Sequence, residues 1–176
     1  RPGYNSPQLF EWNKRTILAT FSAYHLLGLD AQTGELLWTH EQTNTKPEER
    51  EPGKGDTHAN TILFDNGSVY YSAGDGNCGV KLQLSDDGTA LEQIWATSDL
   101  DNYMAIDCET GAQTDSLRLG RGCTIFADSL LYFYGDKGTV SLINPAADGL
   151  KTISSFKLKK GTKEHFAHPV IHKGQL

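Results

Sequence analysis

Apolar and polar positions alternate in short bursts along this chain, and Gly, Asn or Asp breaks the bursts every few residues. A period of two marks half-buried strands. The sharpest instance runs from Gly28 to Trp38: Leu27 and Leu29 alternate before a turn, Leu36 and Trp38 after it. Asp30 can bond its own backbone two residues on, and Gly34 can take positive φ where the chain reverses. A partial copy at Ala105–Gly111 keeps Asp107, Thr110 and Gly111, and a degenerate one at Leu82–Gly88 is followed by Trp95. A hairpin that recurs along a chain signals repeat architecture.

The pattern predicts an all-β fold. A first group of strands covers Leu9-Phe10, Arg15 to Ser22, Tyr24 to Ala31 and Glu35 to Glu41. A second covers Asn60 to Phe64, Ser68 to Ala73, Gly79 to Leu84 and Ala90 to Thr97, its first hairpin turning at Asn66-Gly67, the pair a type I′ turn prefers. Met104 to Cys108 and Gln113 to Leu119 flank the turn at Thr110-Gly111. Thr124 to Ala127, Leu130 to Tyr134, Gly138 to Ile143 and Thr152 to Leu158 form a further set, and Ala167 to Ile171 begins another hairpin. Between the first two groups lies a polar stretch, Thr43 to Thr57, without apolar period. A loop of that length in a compact domain is usually functional or mobile. Its only helical candidate is one turn at Pro47 to Arg50.

The residues of the repeat carry a resemblance. An apolar residue, Asp, two variable residues, Thr-Gly and then Trp four residues on is similar to the PQQ-type β-propeller repeat of quinoprotein alcohol dehydrogenases and their non-catalytic relatives. Asp30, Thr33, Gly34 and Trp38 match in full; Asp107, Thr110 and Gly111 match in part, with Asp115 in place of Trp. Gly55-Asp56-Thr57-His58, Gly74-Asp75-Gly76-Asn77 and the stretch Lys159 to Phe166 look like a secreted bacterial group within that family. The resemblance implies a partial β-propeller of four-stranded antiparallel blades, at about 8–42, 60–97, 104–119 (incomplete) and 123–158, with another begun at 167–176. It implies a periplasmic or secreted location, and makes Trp38 and Trp95 inter-blade packing residues near the Thr-Gly turns. Leu29, Trp38 and Ile106 are expected to be well buried.

The turn glycines Gly34, Gly88, Gly111 and Gly149 are 54, 23 and 38 residues apart. A blade needs roughly 40–45 residues. The short middle interval lacks the hairpin that should precede Ala105, so a missing segment is expected near 104/105. An intact blade without its inner strands would leave backbone donors and acceptors unpaired.

Composition narrows the function. Sixteen basic against 22 acidic side chains leave a net charge of −6, which disfavours nucleic acid or anionic membrane as partner. No apolar run approaches the ~20 residues of a membrane span. Lys157, Lys159, Lys160 and Lys163 form the one dense basic stretch and read as a solvated strand end and turn. Cys78, Cys108 and Cys123 are odd in number and show no CxxC spacing. They read as buried or half-buried thiols, or as one disulfide plus a free thiol.

Candidate chemistry concentrates at two points of the repeat. Asp56, His58 and Asn60 precede the first strand of the second blade; Glu164, His165 and His168 precede the corresponding strand of the last hairpin. Imidazole and carboxylate there could bind a divalent metal or a polar ligand. The competing structural reading has His58 and His168 bonding the connecting backbone. A quinoprotein dehydrogenase would resemble its family in a vicinal Cys-Cys pair, a Ca²⁺ held by Glu, Asn and Asp, and an Asp base; none of these aligns here. The leading expectation is therefore a non-catalytic propeller, without cofactor, that presents loops to a protein, peptide or glycan. The alternative is a fragment of a PQQ- and Ca²⁺-dependent, or other metal-dependent, oxidoreductase.

Overall fold

The structure is a computed structural model that describes residues 3–43, 45–56, 58–72, 79–97, 104–146, 148–161, 164–165 and 167–176, with Met104 described by its backbone alone. Its regular structure is antiparallel strand throughout, apart from a single 3₁₀ turn at Pro47–Glu49. The chain divides into two compact units: Arg1–Leu100 with Cys108–Ala112, and Asp101–Asp107 with Gln113–Leu176.

The first unit holds two four-stranded meanders. β1 (Gln8–Trp12), β2 (Arg15–Phe21), β3 (His25–Asp30) and β4 (Leu36–Glu41) pair in chain order, as do β5 (Leu63–Asp65), β6 (Ser68–Ser72), β7 (Gly79–Leu84) and β8 (Leu91–Thr97). Each is the four-stranded sheet from which propeller blades are made. Cross-strand partners share a face, so register decides which side chains meet. Phe10 pairs with Ile17, Ala19 with Gly28 and Phe21 with Leu26, and this face is the buried one. It meets the face of the second sheet that carries Val69, Tyr71, Val80 and Leu82. Aromatic rings lock the two together: Phe10 stacks on Phe64 with centroids 4.1 Å apart, and Phe21 meets Tyr71 edge-on at 5.2 Å.

Burial in β3 falls on the other parity from that expected. Leu26 and Gly28 are buried, whereas Leu27 and Leu29 lie half-buried on the opposite face, and Leu36 is exposed. Both faces of β3 carry leucine, so composition could not select the inner one. Ile106 is likewise half-buried. Trp38 is buried as expected, but over its own blade: a Cβ on Gly28 would lie 2.1 Å from the indole, so only glycine leaves room for the ring. Trp95 packs on a following turn as expected, and Trp12 takes the place expected of Trp38. Trp12 Nε1 donates to the carbonyl of Ser85, and Trp95 Nε1 to that of Cys108. Each acceptor stands three residues before a turn glycine, Gly88 or Gly111.

The turns follow their chemistry. Gly34, Gly88 and Gly111 have φ of 77°, 73° and 73°, while Gly149 departs at 122°. Asp30 accepts the backbone N–H of Gln32 and Thr33 on one carboxylate oxygen and the Arg15 guanidinium on the other. Those bonds, the backbone ones foremost, hold its carboxyl below the usual range. Asn66 and Gly67 both take positive φ, as a type I′ turn requires.

In the second unit β9 (Met104–Ile106) pairs with β10 (Gln113–Ser116), and β11 (Gly122–Ala127), β12 (Leu130–Gly135), β13 (Thr139–Ala146) and β14 (Gly149–Lys157) form a third four-stranded meander. Asp115, standing where the repeat has Trp, accepts the Leu150 N–H at the start of β14. That bond is the main cause of its lowered pKa. Residues 167–171 carry no strand; the bridge His172↔Gln175 closes a small turn at Lys173-Gly174. The gap expected near 104/105 adjoins residues 98–103, which lie outside the described residues.

Candidate functional site

In each unit the chain that follows a four-stranded sheet returns to the end of that sheet where its second and third strands turn. In the first unit Asp56 N donates to the Ala23 carbonyl at 3.0 Å, and Gln42 N to that of Tyr24 at 2.8 Å. In the second, His165 N donates to the Asp136 carbonyl at 2.8 Å. Ala23 and Asp136 occupy the same turn of their blades. The repeat therefore equates Asp56 with His165.

The Thr43 to Thr57 stretch is anchored at several points among its described residues. Arg50 Nη2 donates to Glu41 at 2.7 Å and Nε to the Thr45 carbonyl at 3.2 Å, while the guanidinium lies 5.0 Å over the Tyr24 ring. The Arg50 hydrogen bond is the main reason the Glu41 carboxyl sits below its ordinary value. Thr45 Oγ1 donates to Asp56. Gly55 rests against Ala23, where a Cβ would lie 2.5 Å from the alanine methyl.

The three predicted residues of this segment take separate structural positions. His58 is 2 % exposed; its ring stacks on Phe21 at 4.4 Å and its carbonyl accepts Tyr4 N. Asn60 is exposed and donates to the carbonyl and hydroxyl of Ser72. Only Asp56 stays beside the connection. Nearby, Tyr71 donates its hydroxyl to buried Gln42, and burial, with the charge of His25, lowers the pKa of His40.

In the second unit a hydrogen bond joins the Tyr134 hydroxyl to His165 Nδ1, and the imidazole lies over Gly138 and Gly161. Glu164 is exposed and lines a groove of about 650 Å³ with Arg118, Arg121, Asp136 and Lys137. His168 is exposed and borders a different, apolar cavity of about 220 Å³ between Tyr134, Val140, Phe156 and Leu176. His58 and His168 belong to different units, and each is placed only within its own.

The groove is not legible in the sequence because Lys137 stands 16 residues beyond Arg121. The β11–β12 register brings them together: Gly122 pairs with Gly135, which sets Arg121 beside Asp136, and Asp136 N donates to the Arg121 carbonyl at 2.8 Å. The two-residue turn at Asp128-Ser129 was the available signal, since it fixes that register.

Among the described residues no three His, Cys, Asp or Glu side chains converge as metal ligands would. Cys108 is exposed, against the expectation of a sheltered thiol, because it sits in the turn whose carbonyl Trp95 holds. Cys123 is half-buried, and that burial raises its pKa; Cys78 lies outside the described residues. No helix among the described residues is long and apolar enough to cross a membrane.

No family model matches the chain, and no curated protein matches it. Among solved structures it is similar to a europium-containing methanol dehydrogenase, with 14% identity and a TM-score of 0.39 over 89% of this chain and 35% of that one. It is also similar to an auxiliary nutrient binding protein from Bacteroides ovatus, with 16% identity and a TM-score of 0.36 over 80% of this chain and 33% of that one. The chain spans about a third of the length of either structure.

Proposed function

We propose that this chain is part of a non-catalytic PQQ-like β-propeller that acts outside the cytoplasm as a binding or scaffold module for a protein, peptide or glycan. The observation that carries this reading is the use to which the polar side chains at the connection ends are put. His58 packs on Phe21 beneath the surface, exposed Asn60 holds Ser72, and the His165 ring is held by Tyr134 while its backbone N–H bonds the Asp136 carbonyl. Groups tied down in this way stiffen the surface around them, and rigid surfaces bind without a large ordering loss. No two cysteines are adjacent in the sequence, which favours this reading over a quinoprotein dehydrogenase with a vicinal Cys-Cys pair.

The test is dye reduction with PQQ, Ca²⁺ and a primary alcohol added to the purified chain. No turnover above the protein-free control is the expected result. Sustained, PQQ-dependent reduction would replace this reading with the oxidoreductase alternative.

A further inference from the structure

We propose that the groove walled by Arg118–Arg121, Gly135–Thr139 and Glu164 binds a saccharide that carries one carboxylate per recognised unit, such as a hexuronic acid. This rests on the reading of the chain as a binding module and names a ligand class for it.

The groove measures about 650 Å³, within the roughly 300–1,000 Å³ of small-molecule sites. Three cations line it, Arg118, Arg121 and Lys137, in a chain whose net charge is −6. Elsewhere Arg15, Arg50 and Lys151 are tied to Asp30, Glu41 and Asp148. Among the described residues no ion pair engages the three groove cations, so an entering anion is a partner open to them.

The lining also selects among anions. A guanidinium offers a planar fork that matches a carboxylate with two parallel hydrogen bonds, and the lysine adds a mobile point charge. Asp136 and Glu164 stand in the same lining, and ionised carboxylates can only accept. The ligand must therefore bring donors as well as negative charge. Three cations against two carboxylates leave the lining at +1, which balances one carboxylate and disfavours a phosphate dianion. A sugar acid supplies both parts, one carboxylate and a ring of hydroxyls.

The walls are fixed to one another by backbone. Asp136 N bonds the Arg121 carbonyl, His165 N bonds that of Asp136, and Leu158 N bonds that of Gly138, at 2.8, 2.8 and 2.9 Å. Exposed Arg121 thus extends from a preorganised frame.

The experiment is calorimetric titration of the full chain with the methyl glycoside of galacturonic acid, with neutral methyl galactoside and with inorganic phosphate, at about 20 mM and about 300 mM salt. The sugar acid should bind at low salt and weaken at high salt, with both other probes at least about tenfold weaker. Arg118→Gln with Arg121→Gln should weaken the acid about tenfold or more, while Arg121→Lys should fall between the two. Both side chains are exposed, and an unchanged circular dichroism spectrum serves as the folding control. Equal binding of the neutral sugar, tighter binding of phosphate, insensitivity to the double variant, or no binding at all would each overturn the proposal. Loss of the groove leaves the non-catalytic reading to its own PQQ test, and PQQ-dependent turnover removes that reading whatever the groove binds.

Discussion

The two blades of the first unit and the last blade of the second are the same meander with different surroundings. In the first unit Ile17, Leu26, Val69 and Leu82 are fully sealed, because each sheet offers its apolar face to the other. In the last blade Phe126 is 67 % exposed, and Ile153 and Phe156 are each 56 % exposed. All four strands of the last blade are paired, as they are in the first, so strand pairing does not account for the contrast. A four-stranded sheet with two apolar faces gains its stability from the sheets beside it. Substitutions at matching positions should therefore have unequal effects.

The largest difference is expected between Ile17→Ala and Ile153→Ala. The first opens a cavity in a sealed interface and should destabilise by about 2–5 kcal/mol. The second removes an exposed side chain and should stay within about 0.5 kcal/mol. All three tryptophans lie in the first unit, so urea unfolding followed by indole fluorescence reads the Ile17 effect. Amide exchange in β14 reads the other. Equal losses would mean that the last blade is as well supported as the first pair.

A smaller effect sharpens the role of Trp38. Gly28→Ala places a methyl within 2.1 Å of the indole and should cost about 1–3 kcal/mol, with a shift in Trp emission. Gly28→Ala combined with Trp38→Phe should recover part of that loss, since the smaller ring leaves space. A loss of the same size in both backgrounds would rule out the steric account.

The smallest effect concerns the second blade's turn. Asp87 is held at a pKa of about 2, chiefly by the Ser85 and Thr89 hydroxyls and then by the Thr89 N–H. A carboxylate depressed in the folded state stabilises above its unfolded pKa and loses that contribution as pH falls through the folded one. Asp87→Asn should lower the melting temperature slightly at pH 7, and the gap to the parent should close between about pH 4 and pH 2. A gap that persists below pH 2 would show that shape, and not charge, holds the turn.

Much of the fold was legible because turn chemistry is local. Asn66-Gly67, Asp30 with Gly34, and the alternation in Arg15 to Phe21 each declare a backbone geometry from neighbours alone. The candidate site was less legible. Asp56 and His165 lie in segments that follow a four-stranded sheet, and their polar character is visible in the sequence. That His58 is a packing residue follows from Phe21, 37 positions away, and no local pattern contains that distance.

The sequence by itself determined most of the strands, their turns and the antiparallel order, though not a strand at 167–171, since these depend on residues within a few positions of one another. Which face of a blade is buried was decided only by tertiary structure. Leu26 and Leu27 are equally apolar, and β3 buries Leu26 because Phe21 pairs with it and the second sheet lies on that side. The same holds for the groove. Arg121 and Lys137 become neighbours only when the β11–β12 hairpin closes and the backbone bond from Asp136 to Arg121 forms. Charge has no periodicity that would announce such a meeting, because it depends on where the chain returns and not on what stands next to it.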